Sequence, residues 1–65
     1  MPLIEIHMLK GRTAAQKEKL LASVTEAAVE SLDAPLGSIR VWIHEFSDED
    51  YMAAGHMATE RRREP

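Results

Sequence analysis

The sequence predicts an α/β fold: a single βαβ unit with two parallel strands, one helix and a short C-terminal hairpin, completed by oligomerisation. Three observations predict it. Apolar and polar residues alternate over residues 2–9 and again over 39–46, and a helical apolar stripe runs between them. The chain, 65 residues long and read as one domain over 1–65, has too little material to cover both faces of a two-stranded sheet.

Residues 2–9, PLIEIHML, read as the first strand, with the β-branched Ile4 and Ile6 alternating with Glu5 and His7. Lys10-Gly11-Arg12 breaks the pattern, and Gly11 suits a tight turn because it lacks a Cβ. Thr13-Ala14-Ala15-Gln16 has the form of a capping box, in which the threonine hydroxyl and the glutamine side chain each accept from the other residue's backbone N–H. A helix is expected to follow to about residue 33. Leu20, Leu21, Val24, Ala27, Ala28 and Leu32 form its apolar stripe, and Lys17, Glu18, Thr25 and Glu26 are assigned to the opposite side. Pro35 stops the helix, because the residue before a proline avoids the α region, and Leu36-Gly37-Ser38 completes the loop.

The second strand is 39–46, IRVWIHEF. Ile39, Val41 and Ile43 point one way; Arg40, Trp42, His44 and Phe46 point the other. A side carrying Trp42 and Phe46 is not an ordinary solvent face, and subunit packing explains it. Two strands joined through a helix are expected to run parallel with a right-handed crossover. Beyond them, Ser47-Asp48-Glu49-Asp50 reads as a solvated acidic loop, Tyr51-Met52-Ala53-Ala54 as a short hairpin or a helical turn, and Arg61-Arg62-Arg63 as a solubilising tail whose last residues are mobile.

Composition narrows the function. A chain this short buries only about 60% of the surface it exposes when unfolded, and small domains compensate with disulfides, metals or oligomerisation. Cysteine is absent, and His7, His44 and His56 are far apart in the sequence without metal-ligand spacing, so no metal and no cofactor is expected. Oligomerisation remains, and a hydrophobic content of 45% leaves apolar surface for it. A net charge of −3 argues against nucleic-acid binding. No stretch approaches the roughly 20 apolar residues of a membrane span, and no secretory signal is evident. The expected setting is soluble and cytoplasmic, which fits the absence of cysteine.

Two features point to chemistry. Pro2 becomes the N-terminal residue if Met1 is removed, as is common before a small residue. It then carries a secondary amine. An α-amino group titrates near pH 8, and apolar burial or nearby cations lower that value towards the range useful to a general base. The bland reading is that proline is simply tolerated at position 2. Arg12 and Arg40 are the only arginines before the tail. Arg40, within a strand, either pairs with Glu5 or Glu45 or is kept for a carboxylate ligand, which a guanidinium binds with two parallel hydrogen bonds.

PLIEIHMLKGR, the capped helix with QKEKL, and SLDAPLGSIRV together resemble the 4-oxalocrotonate tautomerase family, without gaps from Pro2 to about Val41 and more weakly through the tail. The resemblance implies a tautomerase/MIF-like βαβ protomer that dimerises and assembles into a homohexamer, a trimer of dimers, with active sites built from more than one subunit. It implies an isomerase for 1,3- or 1,5-keto–enol tautomerisation of an unsaturated 2-oxo or 2-hydroxy acid such as 2-hydroxymuconate. Its partner is then a small-molecule substrate with carboxylate groups, and no cofactor is implied. By the same resemblance Pro2 is the general base, Arg40 holds the 2-oxo and carboxylate end and draws electron density towards it, and Arg12 binds a distal carboxylate. Tyr51 stands where the family usually has phenylalanine in the apolar wall beside the proline. Trp42 and His44 replace smaller strand residues, and Met52-Ala53-Ala54-Gly55 replaces a glycine-rich segment.

Two alternatives stand beside this reading. A hydratase or dehalogenase on the same scaffold needs a water-activating carboxylate, with Glu49 or Asp50 as candidates. Retention of Met1 would turn Pro2 into an amide and leave a non-catalytic assembly protein. The three histidines read as surface or interface residues, Met8, Met52 and Met57 as packing, and the resemblance leaves open a role for Arg62 in a neighbouring site.

Overall fold

The computed structural model describes residues 2–61, without the side chains of Glu60 and Arg61. The expectations for Met1 and for residues 62–65, Arg62 and Arg63 included, lie outside the described residues. Strand β1 spans Leu3–Leu9, helix α1 Ala14–Leu32, strand β2 Arg40–Phe46, strands β3 and β4 Met52–Ala53 and His56–Met57, and the short helix α2 Ala58–Arg61. One-turn 3-10 helices occupy Leu36–Ser38 and Asp48–Asp50.

β1 and β2 pair in parallel, from Leu3 opposite Arg40 to Leu9 opposite Phe46. A further bond from the Lys10 N–H to the Phe46 carbonyl, at 2.9 Å, extends the ladder. Both strands alternate as their sequences imply. Ile4, Ile6, Val41 and Ile43 are half-buried on the helix side, while Leu3, Glu5, His7, Arg40, Trp42 and His44 are exposed on the other.

α1 starts where its cap dictates. Thr13 takes extended geometry, its hydroxyl accepts from the Gln16 N–H at 3.1 Å, and Gln16 accepts from the Thr13 N–H at 2.9 Å. The helix ends at Leu32 because Asp33 turns left-handed, with φ 54°, two residues before Pro35. The packed stripe is narrower than the sequence pattern. Leu20, Leu21, Val24 and Ala28 face inward, but Ala27 is exposed and Leu32 is 60% exposed, beyond the reach of the short sheet. Two residues assigned to the solvent side are drawn inward instead. Lys17 bonds to Glu45 of β2 at 3.1 Å, and the half-buried Thr25 hydroxyl donates to the Leu21 carbonyl at 2.7 Å. A residue on the flank of a helix goes where its partner is, and one helix cannot reveal that partner.

The tail resolves the choice between hairpin and helical turn. β3 and β4 form a hairpin, Met52 opposite Met57 and Ala53 opposite His56. Its two turn residues, Ala54 and Gly55, both have positive φ, 54° and 83°, the geometry of a type I′ turn that follows the twist of the strands. The acidic segment is a one-turn helix, in which the Ser47 hydroxyl accepts from the Glu49 N–H at 3.1 Å.

Little of the protomer is fully buried. Among the described residues only Ala28, Ile39 and Ala58 are buried. The radius of gyration is 15.0 Å, where a compact chain of this length would have about 11 Å. Among the described residues nothing covers one face of the β1–β2 sheet, and Trp42 and Leu3 stand on it 43% and 59% exposed. Among the described residues, no helix is long and apolar enough to cross a membrane.

Candidate active site

The start of β1 and the start of β2 lie together at one end of the parallel sheet, and this brings Pro2 beside Arg40. The Arg40 N–H donates to the Pro2 carbonyl at 3.2 Å. Pro2 is half-buried.

The loop before β2 holds the Arg40 side chain. The Ser38 and Ile39 N–H groups donate to the Pro35 and Leu36 carbonyls, and the Ser38 hydroxyl also donates to Pro35 at 2.8 Å. This tight turn points the Gly37 carbonyl at Arg40, whose Nη1 donates to it at 2.8 Å and to the Ile39 carbonyl at 3.1 Å. Neither carboxylate proposed as a partner from the sequence meets Arg40. Glu45 is taken by Lys17, and Glu5 faces His7 and His44. Nη1 is thus anchored, and Nε and Nη2 make no hydrogen bond to the described residues. That edge of the guanidinium suits a carboxylate gripped at two points.

Arg12 lies at the other end. β1 runs from Leu3 to Leu9, about 20 Å at roughly 3.3 Å per residue, and Arg12 follows beyond it. Gly11 makes the turn with φ 135°, a conformation that L side chains rarely adopt. Arg12 is exposed on an open groove with Leu9, Lys10 and Asp48. Tyr51 belongs to this end as well. Its ring packs against that of Phe46, with centres 5.3 Å apart, and its carbonyl accepts from the Ala58 N–H at 2.9 Å. Glu49 and Asp50, the candidate water-activating carboxylates, are exposed on the adjacent one-turn helix. One protomer therefore places Pro2 and Arg40 at one end of the sheet and Arg12 and Tyr51 at the other.

Sequence spacing missed one cluster. His7 and His44, scattered along the chain, face each other across the β1–β2 ladder, and Glu5 lies beside them. A parallel crossover makes neighbours of residues that no linear motif connects. The signal available was their shared parity, Glu5 and His7 on one strand and His44 on the other, all on the side away from the helix.

The chain is similar in sequence and fold to known proteins. The family model described as tautomerase enzyme matches residues 2–61. A 2-hydroxymuconate tautomerase of Pseudomonas putida is 46% identical over 63 residues, covering 97% of this chain and all of the relative. A chain from the 4-oxalocrotonate tautomerase isozymes of Methylibium petroleiphilum superposes with a TM-score of 0.89 at 38% identity, covering 94% of this chain and 95% of that one. A chain of a heterohexamer 4-oxalocrotonate tautomerase from Chloroflexus aurantiacus J-10-fl superposes with a TM-score of 0.88 at 33% identity, covering 92% and 97%. With its βαβ frame, its proline at position 2 and a match along nearly its whole length, the chain belongs to the tautomerase family.

Proposed function

We propose that this tautomerase interconverts the enol and keto forms of an unsaturated 2-hydroxy or 2-oxo dicarboxylic acid, 2-hydroxymuconate being the model substrate, with Pro2 as the base after removal of Met1. The observation that carries this reading is the backbone bond joining Pro2 to Arg40, a residue with one guanidinium edge uncommitted.

The free imino nitrogen of Pro2 takes the proton of the 2-hydroxyl group as the C2–O bond becomes a carbonyl. The electron pair moves along the conjugated chain, and the prolinium returns the proton to carbon, C3 in a 1,3-shift or C5 in a 1,5-shift. No atom is gained or lost and nothing is oxidised. Arg40 grips the 2-oxo and carboxylate end and stabilises the negative charge that grows on oxygen. Its positive charge also favours the neutral form of the amine, the form that accepts a proton.

Arg12 takes the distal carboxylate, and Tyr51 forms part of the wall around the carbon chain. Both come from another copy of the chain. A second protomer whose strands run the opposite way lays its Arg12 and Tyr51 beside the Pro2 and Arg40 of the first. The exposed Trp42 and Leu3 supply a surface for further copies. A homohexamer, a trimer of dimers, satisfies both contacts, and a reducing cytoplasm suits a chain without cysteine.

Following 2-hydroxymuconate by its ultraviolet absorbance tests the base. Pro2→Ala is expected to lower turnover by about 10²–10⁴-fold, the usual contribution of general-base catalysis, while circular dichroism stays unchanged. A variant as fast as the parent, or an intact mass that still contains Met1 in the active protein, would overturn the role of Pro2.

A further inference from the structure

Away from both ends of the sheet, one group of side chains has ligand chemistry of its own. Glu5 and His7 stand two residues apart on β1 and so share the uncovered face, and His44 is in register with His7 on β2. His7 Nε2 lies 3.6 Å from Glu5 Oε1, and His44 Nδ1 lies 3.6 Å from Glu5 Oε2. The two imidazole centres are 5.5 Å apart with the rings inclined by 30°. One ligand atom from each residue can be chosen so that all three lie within 4.8 Å of one another.

Separations of 3.6 Å are too long for hydrogen bonds. They match another geometry. Around a tetrahedral zinc ion, with bonds of about 2.0–2.2 Å, neighbouring ligand atoms lie about 3.4 Å apart, and two coordinated imidazoles hold their centres about 5 Å apart. Side-chain rotations that draw the three ligand atoms in from within 4.8 Å of one another would bring them onto one ion. Ladder hydrogen bonds fix the backbone beneath them, so only the side chains need ordering.

We propose that Glu5, His7 and His44 form a binding site for a divalent transition-metal ion, zinc foremost, on the uncovered face of the sheet. Two imidazoles and one carboxylate suit zinc or cobalt rather than magnesium or calcium, which prefer all-oxygen ligands. Three protein ligands leave the fourth position to water or to a group from a neighbouring copy. The side chains are 37–63% exposed in the protomer, so the ion binds more weakly there than in a closed structural site. The site stands apart from the Pro2 chemistry, and its readout is metal binding rather than turnover.

Calorimetric titration of the full chain with Zn²⁺ is expected to show saturable binding, at one ion per chain or one per pair of chains. His7→Gln and His44→Gln, which keep size and polarity, should each weaken binding by at least about tenfold, the lower bound of what even outer-shell changes cost. His56→Gln should leave it unchanged. Trp42, the only tryptophan, is in register with Glu5. Its fluorescence should be quenched by Co²⁺ in the parent and His56→Gln chains, but not in the other two variants at the same concentration. Absence of saturable Zn²⁺ binding, or parent-like affinity in both His7→Gln and His44→Gln, would overturn the site.

Discussion

Where β1 begins, Pro2 and Arg40 sit side by side, tied through the backbone, with the arginine anchored by carbonyls of its own loop. Where β1 stops, Gly11 swings the chain outward, and Arg12 and Tyr51 stand exposed beside the acidic turn. The first end holds the group that would move the proton and the cation that would steady the charge. The second holds a cation for binding and an aromatic wall. In a parallel βαβ unit both strand starts lie at one end, so a residue at a strand start and a residue just past a strand end are separated by the strand's full length. A substrate the size of a six-carbon diacid cannot bridge the roughly 20 Å between them. The division makes oligomerisation a requirement of the proposed chemistry.

Subunit mixing puts the division between the two ends to the severest test. Pro2→Ala and Arg12→Ala chains, each slow on 2-hydroxymuconate at concentrations well below the parent KM, should regain activity when unfolded together and refolded, because some sites then receive Pro2 from one copy and Arg12 from another. At that concentration the rate should rise by about threefold or more over either single variant, given that random mixing restores about a quarter of the sites, Pro2 is worth about 10²-fold or more and Arg12 about 10–100-fold. Activity no higher than the average of the two single variants would show that both residues act within one chain.

A smaller effect sharpens the contrast between the ends. Arg12→Ala should raise KM for 2-hydroxymuconate by about 10–100-fold, the loss of a charge-assisted contact of 1.5–3 kcal/mol. It should leave phenylenolpyruvate, which has no distal carboxylate, within about threefold of the parent rate if the binding role alone is lost. Equal losses on both substrates would move Arg12 from binding to charge stabilisation.

The smallest effect is structural and concerns the Arg12–Tyr51 end alone. Ala54 carries a left-handed φ of 54° in the hairpin that follows Tyr51. Ala54→Gly should therefore stabilise the protein by about 0.5–1 kcal/mol. Thermal unfolding should show a rise in Tm of a few degrees, with turnover unchanged. A fall in Tm would mean that alanine's lower entropy in the unfolded chain outweighs the strain.

The local elements are legible in the amino-acid order alone. Alternation at Ile4–Ile6 and Ile39–Ile43 set the strands and their inner faces, Thr13 and Gln16 set the start of α1, and Gly11 set the first turn, because each effect acts within a few residues. The alternation of β2 also put Trp42 on the side away from the helix, where it is 43% exposed in the protomer. Only the tertiary structure decided which distant residues meet. It gave Glu45 to Lys17 and turned Arg40 towards Gly37 instead of a carboxylate. It set Arg12 and Tyr51 at the far end from Pro2, and it joined His7 to His44. The meeting of His7 and His44 follows from the register of β1 against β2, and that register depends on pairings across a helical crossover that no short stretch of sequence encodes.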